Sequence, residues 1–289
     1  MSLKDKQFFQ HAKERDTKTM LLQNKYINMK NFSDRDLEQL NQRFAIDWRG
    51  ITWFSYRDQI EKPIGSKGLS AGNGLKSDHG WGCMLRTGQM ILFQALIRHF
   101  MNEMSYVEIF QDHKCIQRYF DLLMFFMDNS PPHDLENITC PFGIHSICQE
   151  AKENLRMEPG QWYGPQMISI VLRNICNKKR PVNQFRMHVC LDGCLFLDEI
   201  EQLLNQSNSV FVLIPLRLGM DTISSVYLKQ VKYLFQLNQS VGIMGGKDHM
   251  AIYLVGDEDI QKNNSGLFYL DPHFVQPSVP RQQLEKHLG

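Results

Sequence analysis

"MLRTGQMILFQALIRHF", residues 84–100, carries apolar side chains around most of a helical circumference. A helix patterned this way has no face to present to water, so the rest of the chain must surround it. Arg86, Gln89 and Arg98 interrupt that surface, and each requires a partner, because a polar group taken out of water without one is costly. With 289 residues and 43% hydrophobic side chains, the chain has enough material for such a core, in one large domain or two small ones. Just before the helix stands "SDHGWGC", in which Gly80 and Gly82 flank Trp81 and Cys83 follows. A glycine- and serine-rich stretch, residues 65–80, leads into it and reads as a loop. A thiol thus sits at the seam between a flexible loop and a buried helix.

The flanking segments suggest what surrounds the helix. Over residues 33–60 a Ser33 or Asp34 cap precedes Leu37, Leu40, Phe44 and Trp48 at helical spacing, which predicts one or two amphipathic helices. Further helices are expected over 115–127 and 165–177. Apolar runs rich in β-branched and aromatic residues over 210–219, 250–256 and 266–277 predict strands, the last two joined as a hairpin through "DEDIQKNNSG". Helices first and strands later predict an α+β fold, with one central helix against an antiparallel sheet.

Charge and cysteine usage exclude several classes. A formal net charge of +1 provides no field for nucleic acid or an anionic membrane. The first twenty residues mix both charge signs without an apolar core, and no stretch reaches the roughly 20 apolar residues that span a bilayer. A cytoplasmic chain without a membrane anchor is expected, and its odd count of seven cysteines points to reduced thiols. Cys140 and Cys148 have seven residues between them, Cys190 and Cys194 three; with no Cys-x-x-Cys pair, a zinc module is disfavoured.

Cys83 therefore has two readings. As one small apolar residue among many it would belong to the core. At a helix start capped by Gly82, its sulfur would instead sit beside unpaired N–H groups and the positive end of the helix dipole, a setting that lowers thiol pKa values from about 8.5 into the range of about 3.5–7.5. The flanking glycines would let a substrate backbone approach. The base is either His249 or His273. Cys83, His249 and Asp271 reproduce the chain order of papain-like enzymes. In "YLDPH", Asp271 and His273 are two apart and emerge on one face of an extended backbone. Tyr56 is a candidate second donor to an oxyanion, or a core tyrosine with a wet hydroxyl. "GQWYGP", residues 160–165, puts Trp162 in a Gly/Pro turn that reads as a lid or a packed corner.

Taken together and in this order, "GWGCMLRTGQM", "GQWYGP", "IPLRLG", "GGK" at 245–247 and "YLDPH", with "MHVCLDGCLFLDEI" at 187–200, resemble the autophagin family of cysteine proteases, from Lys25 to Pro277. The resemblance implies one papain-like protease domain over 1–289, with an N-terminal extension over 1–30 and an auxiliary subdomain within about 105–200. It implies cleavage of a ubiquitin-like autophagy modifier after its C-terminal glycine and release of that modifier from phosphatidylethanolamine, with no metal or organic cofactor. Cys83 is then the nucleophile, His273 the general base, Asp271 its orienting partner and Tyr56 the oxyanion donor. Trp162 covers the site, Gly245, Gly246, Lys247 and Asp248 wall the substrate groove, and His249 falls in a regulatory loop. A tail ending in glycine suits such a roofed site, because any larger residue would clash. Asp248 departs from the family's usual proline, and the chain ends 289 − 273 = 16 residues after His273, short of its relatives. The alternative is a weak or inactive binder of the same modifier. A monomer is expected.

Overall fold

The computed structural model describes residues 19–22, 25–28, 34–65, 74–102, 104, 106–128, 140–219, 223–247, 249–257, 266–280 and 283. Helix α1 (Asp34–Gly50) is a single helix that buries Phe44 and Trp48. Both rings pack on Phe268, at centroid distances of 5.1 and 6.1 Å. The side chains of Leu37 and Leu40 lie outside the described residues. No second helix follows. The chain instead runs extended through Tyr56 into the short strand β3 (Arg57–Asp58).

Helix α2 (Cys83–Met101) is the central helix that residues 84–100 predict, and every side chain from Cys83 to Phe93 is buried. Its polar residues have partners. Arg86 pairs with Asp78 and Asp128, Gln89 donates to the Phe142 carbonyl at 2.7 Å, and Arg98 donates to the Asn238 carbonyl at 2.8 Å. The helix lies on strands β6 (Ile243–Lys247) and β7 (Met250–Asp257). These belong to an antiparallel sheet ordered β2 (Lys25–Asn28), β1 (Thr19–Leu22), β7, β6, with β8 (Leu267–Leu270) also paired to β7. Gly246 makes the close approach of helix and sheet feasible: a Cβ there would lie 2.8 Å from Met84 Cε and 2.9 Å from the Met250 carbonyl.

Around this centre stand α3 (Tyr106–Ile109), α4 (His113–Met124), α5 (Ile144–Leu155), α6 (Pro165–Asn174) with a π-turn over Ile175–Lys179, α7 (Leu197–Leu204) and α8 (Ser225–Leu234). The strand expected over 210–219 is shorter and belongs elsewhere. β5 (Ser209–Leu213) stops before Pro215, which has no N–H to extend a ladder. It pairs in parallel with β4 (Phe185–Val189), in a separate two-stranded sheet. After β8 the chain passes through Asp271 and His273 to β9 (Gln276–Pro277), which pairs in parallel with β3, Arg57 opposite Gln276. That two-residue pairing joins residues more than 200 positions apart and delivers the imidazole of His273 to Tyr56. Among the described residues no helix is long and apolar enough to cross a membrane.

Candidate active site

The loop before α2 is folded on Asp78. Its carbonyl accepts the N–H groups of Trp81 and Gly82 at 3.2 and 2.8 Å, and the Trp81 indole donates to the Ser77 carbonyl. Gly82 caps the helix without a side chain, so Cys83 is the first helical residue and its sulfur lies in the first turn. Cys83 has 0% of its surface exposed. Its surroundings are nonetheless not purely apolar, because the likewise buried Tyr56 is its electrostatic neighbour.

Tyr56 is held by the segment that follows β8. Its N–H donates to the Pro272 carbonyl at 2.9 Å, its carbonyl accepts Gln276 N–H at 3.0 Å, and Trp53 Nε1 donates to the Asp271 carbonyl at 2.8 Å. The Tyr56 and His273 rings meet edge to face, with centroids 5.5 Å apart. His273 Nδ1 lies 2.5 Å from Asp271 Oδ1, which also accepts the His273 N–H at 3.0 Å. With Nδ1 engaged, Nε2 is the nitrogen left to exchange a proton; it is buried without a hydrogen-bond partner among the described residues. Burial first, and then the neighbouring Cys83 and Asp78, push the Tyr56 hydroxyl well above the ordinary tyrosine range, opposed only by a backbone hydrogen bond from Gly80. Tyr56 therefore stays protonated and remains a donor.

The other histidine is placed differently. β6 and β7 pair antiparallel with Lys247 opposite Met250, and the chain is in a turn at His249. His249 occupies that turn in the left-handed region at φ 55, and its Nδ1 lies 3.1 Å from the Gly80 carbonyl. Its ring faces Trp162 at 6.2 Å between centroids. His249 thus meets the loop before Cys83, whereas Asp271 meets His273. Trp162 is partly buried, and its indole nitrogen lacks a hydrogen-bond partner among the described residues. Gly245 and Gly246 belong to strand β6, opposite Ile252 and Ala251. The side chain of Lys247 and all of Asp248 lie outside the described residues.

All seven cysteines are free. Burial pushes the Cys148 thiol up to about 12 and raises Cys176 as well, so neither is primed as a nucleophile. Among the described residues no three His, Cys, Asp or Glu side chains converge as a metal cage requires.

Sequence reading required a partner for Arg86 but did not single out Asp78 or Asp128. Asp78 Oδ2 accepts Arg86 Nε at 2.7 Å and Asp78 Oδ1 accepts the Arg57 N–H at 2.6 Å. Arg86 also donates to Asp128 and to Gln89. Burial opposes the Arg86 charge, but Asp128 and Asp78 more than offset it and hold the guanidinium protonated.

Comparison with known proteins assigns the chain to a family. The profile of the Peptidase C54 catalytic domain matches residues 41–288. Cysteine protease ATG4B of Gallus gallus is 29% identical over 273 residues, covering 82% of this chain and 63% of the relative. Cysteine protease ATG4B of Xenopus laevis is 32% identical over 256 residues, covering 78% and 59%. Cysteine protease ATG4A of Gallus gallus is 29% identical over 279 residues, covering 86% and 67%. The chain spans about three fifths of the length of the two ATG4B relatives. With a helix-borne cysteine on an antiparallel sheet and a family match over most of its length, the chain belongs to the peptidase C54, or autophagin, family of papain-like cysteine proteases.

Proposed function

We propose that the chain is a thiol peptidase that cuts a ubiquitin-like autophagy modifier just after its C-terminal glycine, on the precursor and on the form joined to phosphatidylethanolamine. The observation that carries this reading is the series Asp271, His273, Tyr56, Cys83: Asp271 pairs with the imidazole, the Tyr56 ring meets that imidazole edge to face, and the Tyr56 hydroxyl lies near enough to Cys83 to be shifted by it. His273 Nε2 takes the proton of Cys83 as Sγ attacks the glycine carbonyl carbon. The Tyr56 hydroxyl and the Cys83 N–H donate to the oxyanion. When the C–N bond breaks, His273 returns the proton to the leaving amine, and water then hydrolyses the thioester to a carboxylate and a free thiol. Both substrates present the same amide bond, so one site serves both. Because Cys83 is fully buried, the site must open to admit the tail. In this reading residues 1–289 form one protease domain with an auxiliary subdomain within about 105–200, acting as a cytoplasmic monomer without a cofactor.

A modifier ending in a thiol-reactive warhead tests the proposal. Labelling is expected on Cys83 and absent in Cys83→Ala. Cleavage of a modifier extended past its glycine is expected to vanish in His273→Ala and to persist largely in His249→Ala. The converse pattern for the two histidines overturns the assignment, and binding without labelling makes the chain a non-catalytic partner of the modifier.

A further inference from the structure

Tyr56 and Cys83 stand on separate segments of the chain, and Asp78 joins those segments. The carboxylate is fully buried, and each oxygen has its own donor: Arg57 N–H on Oδ1 at 2.6 Å and Arg86 Nε on Oδ2 at 2.7 Å. The Asp78 N–H donates to the Arg57 carbonyl at 3.2 Å, so Asp78 grips both backbone groups of the residue next to Tyr56. Its own carbonyl holds the N–H groups of Trp81 and Gly82, next to Cys83. The fit is close, since a Cβ on Gly82 would lie 2.3 Å from Asp78 Oδ2. Asp128 lies on the other side of Arg86; among the described residues it accepts from that guanidinium, with each oxygen 3.0 Å from Nη1, and from Ile144 N–H on Oδ1 at 3.4 Å.

We propose that Asp78 is a positioning residue for the peptidase reaction: its carboxylate fixes the segment bearing Tyr56 against the loop that presents Cys83. The inference rests on Cys83 and Tyr56 acting as proposed above. An amide at position 78 has one acceptor oxygen for two donors, so Asp78→Asn must release either the Arg57 N–H or Arg86 Nε, whichever way it turns. Asp128→Asn makes the same change in charge beside Arg86 and puts an amide nitrogen where Oδ2 lies 3.0 Å from Nη1, yet Oδ1 can still accept from both Nη1 and Ile144 N–H. The pair therefore separates the loss of a buried charge from the loss of geometry at the site.

Wild type, Asp78→Asn, Asp128→Asn and Cys83→Ala are to be compared on a modifier extended past its glycine, with the folded fraction set by thermal unfolding. Asp78→Asn is expected to lower kcat by about 10- to 100-fold while KM stays within about twofold, because misplacement of reacting groups by about 1 Å has effects of that order. Asp128→Asn is expected to lower Tm comparably and to keep kcat within about threefold of wild type. Asp78→Asn with kcat within threefold of wild type overturns the proposal. So does an equal loss of kcat in both variants in step with Tm. Should Asp78→Asn not fold, Asp78→Glu keeps both acceptor oxygens but moves them by one methylene, and it carries the same expectation and the same overturning result. A wild-type chain that neither cleaves the modifier nor is labelled at Cys83 instead overturns the peptidase reading itself.

Discussion

Tyr56 shows how much one hydroxyl carries. Its ring would keep the contacts with His79 and His273, both at 5.5 Å, after replacement by phenylalanine, and only the donor would be lost. Tyr56→Phe is therefore expected to reduce kcat by about 10²- to 10³-fold with little change in KM, the range seen when one oxyanion donor is removed. Steady-state kinetics on the extended modifier measures this, and a loss confined to KM would contradict the role. The thiols give a second prediction at this scale. Burial raises Cys148 to about 12 and also raises Cys176, whereas Cys194 is exposed. Mass spectrometry after mild alkylation of the native protein should find Cys194 modified, and Cys148 and Cys176 modified only after unfolding. Composition could count these thiols but could not rank them, since burial separates them and burial is not written in local spacing.

Helix α2 was legible because its apolar side chains repeat around the whole helix, and that pattern requires neighbours on all sides whatever those neighbours are. Gly88, within it, shows the limit of local rules. Helix propensity alone favours alanine there by about 1 kcal/mol. A Cβ at Gly88 would, however, lie 2.8 Å from Ile168 Cγ1 and 3.2 Å from Leu172 Cδ1 on α6, and overpacking of this kind costs about 1–3 kcal/mol. Gly88→Ala is expected to destabilise the fold by about 1 kcal/mol net, read as a lower urea midpoint at unchanged slope. The strand elements were less legible. The hydrophobic run over 210–219 has strand composition, but nothing in it encodes that β5 pairs with β4 instead of joining the large sheet. β3 and β9 are two residues each, too short to carry a period.

Across the molecule, partly buried imidazoles couple stability to pH. Burial lowers the pKa of His145, whose Nε2 bonds to the Lys62 carbonyl at 2.7 Å, and of His99, which bridges α2 to Asn183 and Ser209. Both are neutral in the fold and titrate near 6.5 once unfolded, so their contribution to stability is fully present above about pH 6.5 and is lost as pH falls toward their lower folded values. Tm is expected to hold steady from about pH 8 to 6.5 and to fall below that. The fall should be shallower in His145→Gln, and an unchanged slope would remove His145 as a cause. By itself the sequence determined that a buried helix begins at Cys83 behind a glycine loop, and that Asp271 and His273 emerge side by side, because helical and extended periods are properties of neighbouring residues. That His273 meets Tyr56, and that Asp78 links Arg57 to Arg86, was decided only by the tertiary structure. Those contacts depend on the pairing of β3 with β9 and on an ion cluster closed across α2, and non-local pairings are selected by packing and charge burial over the whole fold.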